Sequence, residues 1–535
     1  MQLRRRQFLN LTGMSLFGFI MNACSNNRSL NSLSNEQQLF LNKFDSPDII
    51  SRASSYVIGL YSISDQLLMD NYIFPLTYST LLDFDITDGK LYSDIAKNLE
   101  IINSKNFLFT IREDIFFHPD ENGFAEPLTA EDIKNDFNKR IKNKEPFFYN
   151  VIKSLEIVNN KLLISLKNPF PYFIEFISNS SVAGIRHSKV YEKGSLFRGS
   201  GPYIPVQVNK NDYTLVANTF YHEDRLPLLN FIYIKKYFDI SIMKKDFSDN
   251  SFDLILSNQF VNSLNSIALS QIKLKNPSKE IIIFALSMAQ NKGGTDVKYI
   301  EAFQNPKVRK AISKSINRNL LIEEFDGFIT GTVPPSFPLD ALNESEINQI
   351  DFMIYDPIEA KQLLLDSGFS GLEFRIDLPN TVFFSTLGVL LAKQLSKVGF
   401  EPRLVFSDVD KLKNSLELGD FEAVLYTQKF DISPDVGLMM NTSLGINNQY
   451  SKTGFSSPLY DYEIEKSFYE YDPIKRGELA KKAQKNLFEQ SPAEVPLFCT
   501  ADIGLSNKLI SGFQFEKLSS NFKIFSKYWV KDVSS

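Results

Sequence analysis

The stretch DPIEAKQLLLDSGFSGLEFRIDLPNTVFFSTLGVLLAKQLSKVGFEPRLVFSDVDKLKNSLELGDFEAVLYT, residues 356–427, decides the class of fold. It opens on Asp356-Pro357, a capping carboxylate followed by a proline at the first helical position, where an N–H would find no partner anyway. Leu363 and Leu364 then point inward, and Gly368 can end the helix in the left-handed conformation. Leu372-Glu373-Phe374-Arg375-Ile376-Asp377-Leu378 alternates strictly, which predicts a strand with one buried face. The spacing predicts a helix over 385–398, stopped by Gly399. A strand over 403–406, a helix over 410–418 and a strand over 421–427 complete the run. Helices that alternate with strands predict an α/β lobe with helices packed on its sheet.

Outward from this stretch the same signals recur. Asn305-Pro306 opens a helix, and Val308, Ala311, Ile312, Ser315 and Ile316 form its inward stripe. Thr129-Ala130-Glu131-Asp132 predicts a capped start, because the Asp132 carboxylate can reach back to Thr129. Ile133, Phe137 and Ile141 then fall on one face. Residues 107–112 and 115–118 read as strands with Glu113-Asp114 as the turn between them, and helices are expected over 461–471 and 475–490. No internal repeat is present, which argues against a solenoid or propeller.

Composition narrows the function. The 535 residues exceed one core at ~150 residues per domain. A net charge of −5 argues against a nucleic-acid partner, which selects a basic surface. Apolar residues at 43% and charged residues at 23% exclude a disordered chain. Two cysteines cannot build a disulfide scaffold, and Cys499, within Pro496-Leu497-Phe498-Cys499, reads as a small buried hydrophobe. The three histidines, His118, His187 and His222, lie far apart in sequence and form no zinc spacing, so no metal site is expected. The phosphate-loop, nucleophile-elbow and His-Glu-x-x-His spacings are absent, and no catalytic residue or cofactor is assigned. Gly199-Ser200-Gly201-Pro202-Tyr203 is glycine-rich, but Ile204 stands where a dinucleotide loop needs its third Gly. Pro202 also removes an amide, so the segment reads as a turn entering a strand at Tyr203.

Residues 1–23 have the order of an export signal: Arg4, Arg5 and Arg6, then a mostly apolar run over 8–21, then Asn22-Ala23 before Cys24. The run is short and is broken by Asn10, Thr12, Gly13 and Ser15; the alternative is a short anchor that is never cut. Arg5-Arg6-Gln7-Phe8-Leu9 resembles the twin-arginine export motif. Met21-Asn22-Ala23-Cys24 resembles a bacterial lipobox, with Met21 where Leu is usual and Asn22 where a small residue is usual. Cys24 is therefore the expected lipidation site, followed by a polar linker over 24–45.

Taken in order, seven segments resemble family 5 of the bacterial extracellular solute-binding proteins, the receptors of oligopeptide, dipeptide and nickel ABC importers. They are Tyr78-Ser79-Thr80-Leu81-Leu82, the 109–117 hairpin, Leu128-Thr129-Ala130-Glu131-Asp132, Gly199-Ser200-Gly201-Pro202-Tyr203, residues 305–312, Asp420-Phe421-Glu422-Ala423 and Ser457-Pro458-Leu459-Tyr460-Asp461. Three features depart from the family. Gly123-Phe124-Ala125-Glu126 lengthens the turn before Pro127, Gln428 replaces a frequent Trp, and 286–305 is longer and more polar.

The resemblance implies a two-lobe periplasmic-binding-protein-like α/β fold with a hinge and an extra third domain, of class II, cluster C type. Lobe I would comprise 46–70, 180–276 and 490–535, the extra domain 71–179, and lobe II 277–489. It implies no enzyme but a monomeric, lipid-anchored, exported receptor, periplasmic or on the outer face of the membrane. Such a receptor captures peptides between its lobes and hands them to an ABC permease and ATPase complex. The family's ammonium-binding aspartate falls on Asp431 in a gapless run, with Asp435 as the alternative. Gln428, Lys429 and Phe430 would pair backbone with the peptide, as would Gln66, Leu67 and Leu68. Phe147 is either an aromatic cleft residue or core packing. Other readings are a receptor for a nickel chelate or a sugar, a surface lipoprotein that has lost its cleft, or an exported hydrolase.

Overall fold

Strand Glu373–Pro379 lies between two parallel neighbours, Glu401–Ser407 and Ala423–Lys429, in a computed structural model of the chain. The described residues are 55–506 apart from 62–67, 86–87, 121, 189–196, 209–211, 225, 250–252, 258–271, 289–297, 431–432, 435–436, 439–451, together with 510–511 and 529–530. The chain divides into two compact units, one of residues 1–276 and 502–535, the other of residues 277–501. It passes from one to the other twice, within strands Ile272–Leu286 and Glu494–Ser506.

The second unit contains the stretch quoted above. Its strands run in the order Glu401–Ser407, Glu373–Pro379, Ala423–Lys429, Ile272–Leu286, Glu494–Ser506. Phe374, Ile376 and Leu378 are buried as expected, but the strand is one-sided only at its start, because Asp377 and Pro379 on the other face are buried as well. Phe374, Ile376 and Leu378 share a core with Leu387, Leu391 and Leu395 of helix Val382–Val398 and with Val308, Ala311 and Ile312 of helix Pro306–Ser315. Asp356 caps helix Pro357–Ser367, and Gly368 ends it at φ 79°. Gly399, at φ 108°, ends the next. Several boundaries differ from expectation by one to three residues, among them the strand expected over 403–406, which is Glu401–Ser407, and the helices expected over 461–471 and 475–490, which are Pro458–Phe468 and Pro473–Glu489. The helix expected from 385 starts at Val382, because the Thr381 hydroxyl accepts the Phe384 N–H at 3.3 Å. The strand expected over 421–427 runs from Ala423 to Lys429, because its length is set by the antiparallel partner, residues 280–286.

The first unit holds two separate apolar cores. One lies under a four-stranded antiparallel sheet ordered Ala96–Asn103, Asn106–Ile111, Lys161–Leu166, Ile152–Val158. Helix Ala130–Lys142 packs there through Ile133 and Phe137, its start closed by the expected Thr129–Asp132 capping box. Residues 115–118 are a correction: they form no strand. Strand Asn106–Ile111 finds its partners in Ala96–Asn103 and Lys161–Leu166. Residues 115–117 instead face 126–128, with one isolated bridge from Phe116 to Pro127 and a Leu128 N–H to Ile115 C=O bond of 2.9 Å.

The other core is built on strand Ser55–Tyr61, parallel to both Phe231–Tyr237 and Leu254–Ser257. Asp212–Ala217 and Tyr203–Val208 extend that sheet. The glycine-rich segment is the expected turn into Tyr203–Val208. Any Cβ at Gly199 or Gly201 would collide with the Thr77 backbone, so close approach, not phosphate binding, demands the glycines.

Candidate functional site

The final residues of strand Ala423–Lys429 carry the most site expectations. Gln428 lies opposite Ile281 and Lys429 opposite Glu280. The Lys429 ammonium pairs with the Glu280 carboxylate at 2.9 Å on the open surface. The Gln428 side-chain amide donates to the Lys429 carbonyl at 2.9 Å. The sheet then lets go, and the next residue is anchored differently. Phe430 donates its N–H to the Lys279 carbonyl at 2.9 Å, and its buried ring stands 6.1 Å from the Phe337 ring. A Cβ on Gly437 would strike the Thr332 carbonyl and the Phe430 ring, so the chain returns tightly beside its own start. Asp431 and Asp435 fall between these anchors and lie outside the described residues, as do Gln66, Leu67 and Cys24.

Two expected site residues are described elsewhere, in the first unit. The Leu68 side chain is fully buried in the core with Ile73 and Leu76, so only its backbone is left for recognition. Phe147 packs in the core of the four-stranded layer. Its ring lies nearly parallel to Phe176 at 5.4 Å and to Phe173 at 6.2 Å, and edge-on to Phe148 at 5.2 Å. Of the two readings of Phe147, its surroundings fit core packing, because it is buried in that cluster among other phenylalanines.

One polar group escaped the sequence reading. Glu494 is fully buried on strand Glu494–Ser506, and its carboxylate accepts the Lys452 N–H at 3.4 Å. Burial pushes its pKa up to about 8, against the pull of Lys452 and of the Tyr426 hydroxyl. The Lys452 ammonium sits 5.0 Å from the centre of the Tyr426 ring. Tyr426 lies two residues before Gln428 on the same strand. Among the described residues no group of three or more His, Cys, Asp or Glu could hold a metal ion, and no helix is long and apolar enough to cross a membrane.

A mixed α/β chain in two units, crossed twice by the backbone, has the fold of the periplasmic binding proteins. HbpA2 from Haemophilus parasuis superposes with a TM-score of 0.74 at 16% identity, covering 90% of this chain and 100% of that one. The periplasmic murein tripeptide-binding protein MppA, in its unliganded open form, gives 0.73 at 16% identity, covering 91% and 99%. Residues 90–451 match the bacterial extracellular solute-binding proteins, family 5 (middle), and the chain belongs to that family. The glutathione-binding protein GsiB of Salmonella typhi is 23% identical over 499 residues, 88% of this chain and 89% of the relative. Chain and relatives are thus binding proteins of one family, and the resemblance in the seven sequence segments was to that family.

Proposed function

We propose that this protein is the peptide receptor of an ABC importer, held at the outer face of a membrane by a lipid on Cys24. The observation that carries the reading is the fixed strand end at 428–430 in a family whose relatives include binders of glutathione and of a murein tripeptide. Recognition through main-chain hydrogen bonds needs a backbone held in place before the ligand arrives. The Phe430 anchor and the ladder to residues 280–286 supply that. Side chains of the peptide then matter less than its backbone and its ends.

A thermal-shift screen against di- to pentapeptides, glutathione, nickel chelates and sugars tests the proposal. Peptides are expected to raise the melting temperature; at a hundredfold excess over Kd the gain is about 2.7 kcal/mol. A response to nickel chelates or sugars alone would refute the peptide reading. Mass spectrometry of the membrane fraction tests the anchor. The expected mature chain begins at an acylated Cys24, and an intact Met1 or an unmodified Cys24 would count against it.

A further inference from the structure

All three histidines of the chain, separate in sequence, meet along one seam of the first unit. On one side lie Asp94, His118 and Glu126; on the other lie His187, Arg198 and His222, with the turn at Gly199 and Gly201 that enters strand Tyr203–Val208. The His222 Nε2 lies 3.2 Å from an Asp94 carboxylate oxygen, both side chains almost wholly buried. The His187 Nε2 lies 3.1 Å from Glu126, whose other oxygen accepts from Arg198 at 3.0 Å. His118 is stitched into the turn itself. Its N–H donates to the Gly199 carbonyl at 2.7 Å, and its carbonyl accepts from the Arg198 Nε at 2.8 Å.

The ring of His118 differs from the other two in what it faces. Its Nε2 lies 3.0 Å from the Gly201 carbonyl, and its Nδ1 lies 3.3 Å from the Gly199 N–H. A carbonyl can only accept and an amide N–H can only donate, so the tautomer is fixed: Nε2 carries the proton and Nδ1 the lone pair. Neutral imidazole satisfies both neighbours. Imidazolium would aim a second N–H at the Gly199 N–H, in a site 1% exposed to solvent. The charged group facing it is the Arg198 guanidinium, with Glu126 and His187 beyond. His222, by contrast, has the Asp94 carboxylate, with Asp114, Arg112 and Glu223 around that pair. His187 has Glu126.

We propose that His118 is an acid-released latch: protonation of Nδ1 breaks its bond to the Gly199 amide and loosens the turn 199–203 from residues 77–118. Burial, reinforced by Arg198 and opposed by the Gly201 carbonyl, holds the His118 pKa down to about 4 in the closed seam. Once opened, the imidazole returns to the ordinary value of about 6.5. The open form therefore binds more protons between these limits, and the closed seam loses stability as pH falls from about 6.5 to about 4. An extracellular binding protein meets the pH of its surroundings directly, so the latch would report that pH within the first unit.

Hydrogen exchange of the mature full-length protein, corrected for intrinsic rates, reads the latch at pH 7 and pH 5. Protection over 77–118 and 197–203 is expected to fall about tenfold or more at pH 5. In His118→Gln, which keeps a donor and an acceptor without a titrating proton, it should stay level. His222→Gln and His187→Gln should keep the acid response. Equal acid loss in native protein and His118→Gln would overturn the proposal, as would loss of the response in His222→Gln. If His118→Gln fails to fold, nuclear magnetic resonance of the three labelled histidines decides. His118 must then appear as the Nε2–H tautomer and titrate below pH 5; titration near 6.5 in the folded protein would refute the latch.

Discussion

Asp431→Asn is expected to weaken the binding of free peptides by more than tenfold while leaving the melting temperature of the unliganded protein unchanged. The residue follows Phe430 directly, where the sheet ladder has ended and a buried ring fixes the backbone. A peptide's α-ammonium loses its water on binding and needs a carboxylate in exchange, since a buried unpaired charge is costly. The hydrogen bond between them is charge-assisted and contributes ~1.5–3 kcal/mol. At ~1.4 kcal/mol per factor of ten, loss of the charge alone exceeds one decade in Kd. N-acetylated peptides should bind the native protein poorly for the same reason and should not distinguish it from Asp431→Asn. Titration calorimetry with free and acetylated peptides makes the comparison, with Asp435→Asn as the rival. Native-like affinity in Asp431→Asn would sink the assignment, and a tenfold loss confined to Asp435→Asn would transfer it.

The parts of this fold that were legible in sequence are those whose signal is local. Caps at Thr129, Asn305 and Asp356 and stops at Gly368 and Gly399 each depend on neighbours within a turn or two, and each appears where expected. Partner choice is not local. Residues 115–118 look like a strand by composition, yet the edge they would need is taken by Ala96–Asn103 and Lys161–Leu166. Phe147 shows the same gap within the candidate site: an aromatic in Pro146-Phe147-Phe148 carries no mark of whether it lines a cleft or a core, and its ring contacts with Phe148, Phe173 and Phe176 come through topology. Glu494 and the three histidines gave no signal because their partners arrive through topology. Among the 63 acidic residues nothing in the local sequence sets Glu494 apart, and only its burial does.

Arg309 is another such residue, and its replacement should strongly destabilise the second unit. It lies on the buried stripe side of helix Pro306–Ser315 with 4% of its surface exposed. Two helices end against it. Its Nη1 donates to the carbonyls of Phe303 at 2.7 Å and Gln304 at 2.8 Å, at the close of helix Lys298–Gln304. Its Nη2 donates to the Gln490 carbonyl at 3.4 Å and its Nε to the Ser491 carbonyl, just past helix Pro473–Glu489. The last carbonyls of a helix have no partner within it and carry the negative end of the helix dipole. One guanidinium satisfies both ends at once, and the Phe455 ring 5.5 Å away covers it. Burial lowers its pKa to about 10, which leaves it charged at neutral pH. Arg309→Met keeps the stem and removes every donor, stranding up to four buried or part-buried carbonyls at ~1–3 kcal/mol each. Partial hydration of the rim lowers the sum, and a loss of about 3 kcal/mol or more is expected in urea unfolding. Arg309→Lys, with a single compact ammonium in place of the fork, should fall between. A change within ~0.5 kcal/mol of native for Arg309→Met, the scale of an ordinary surface substitution, would show that the two helix ends do not depend on this cation.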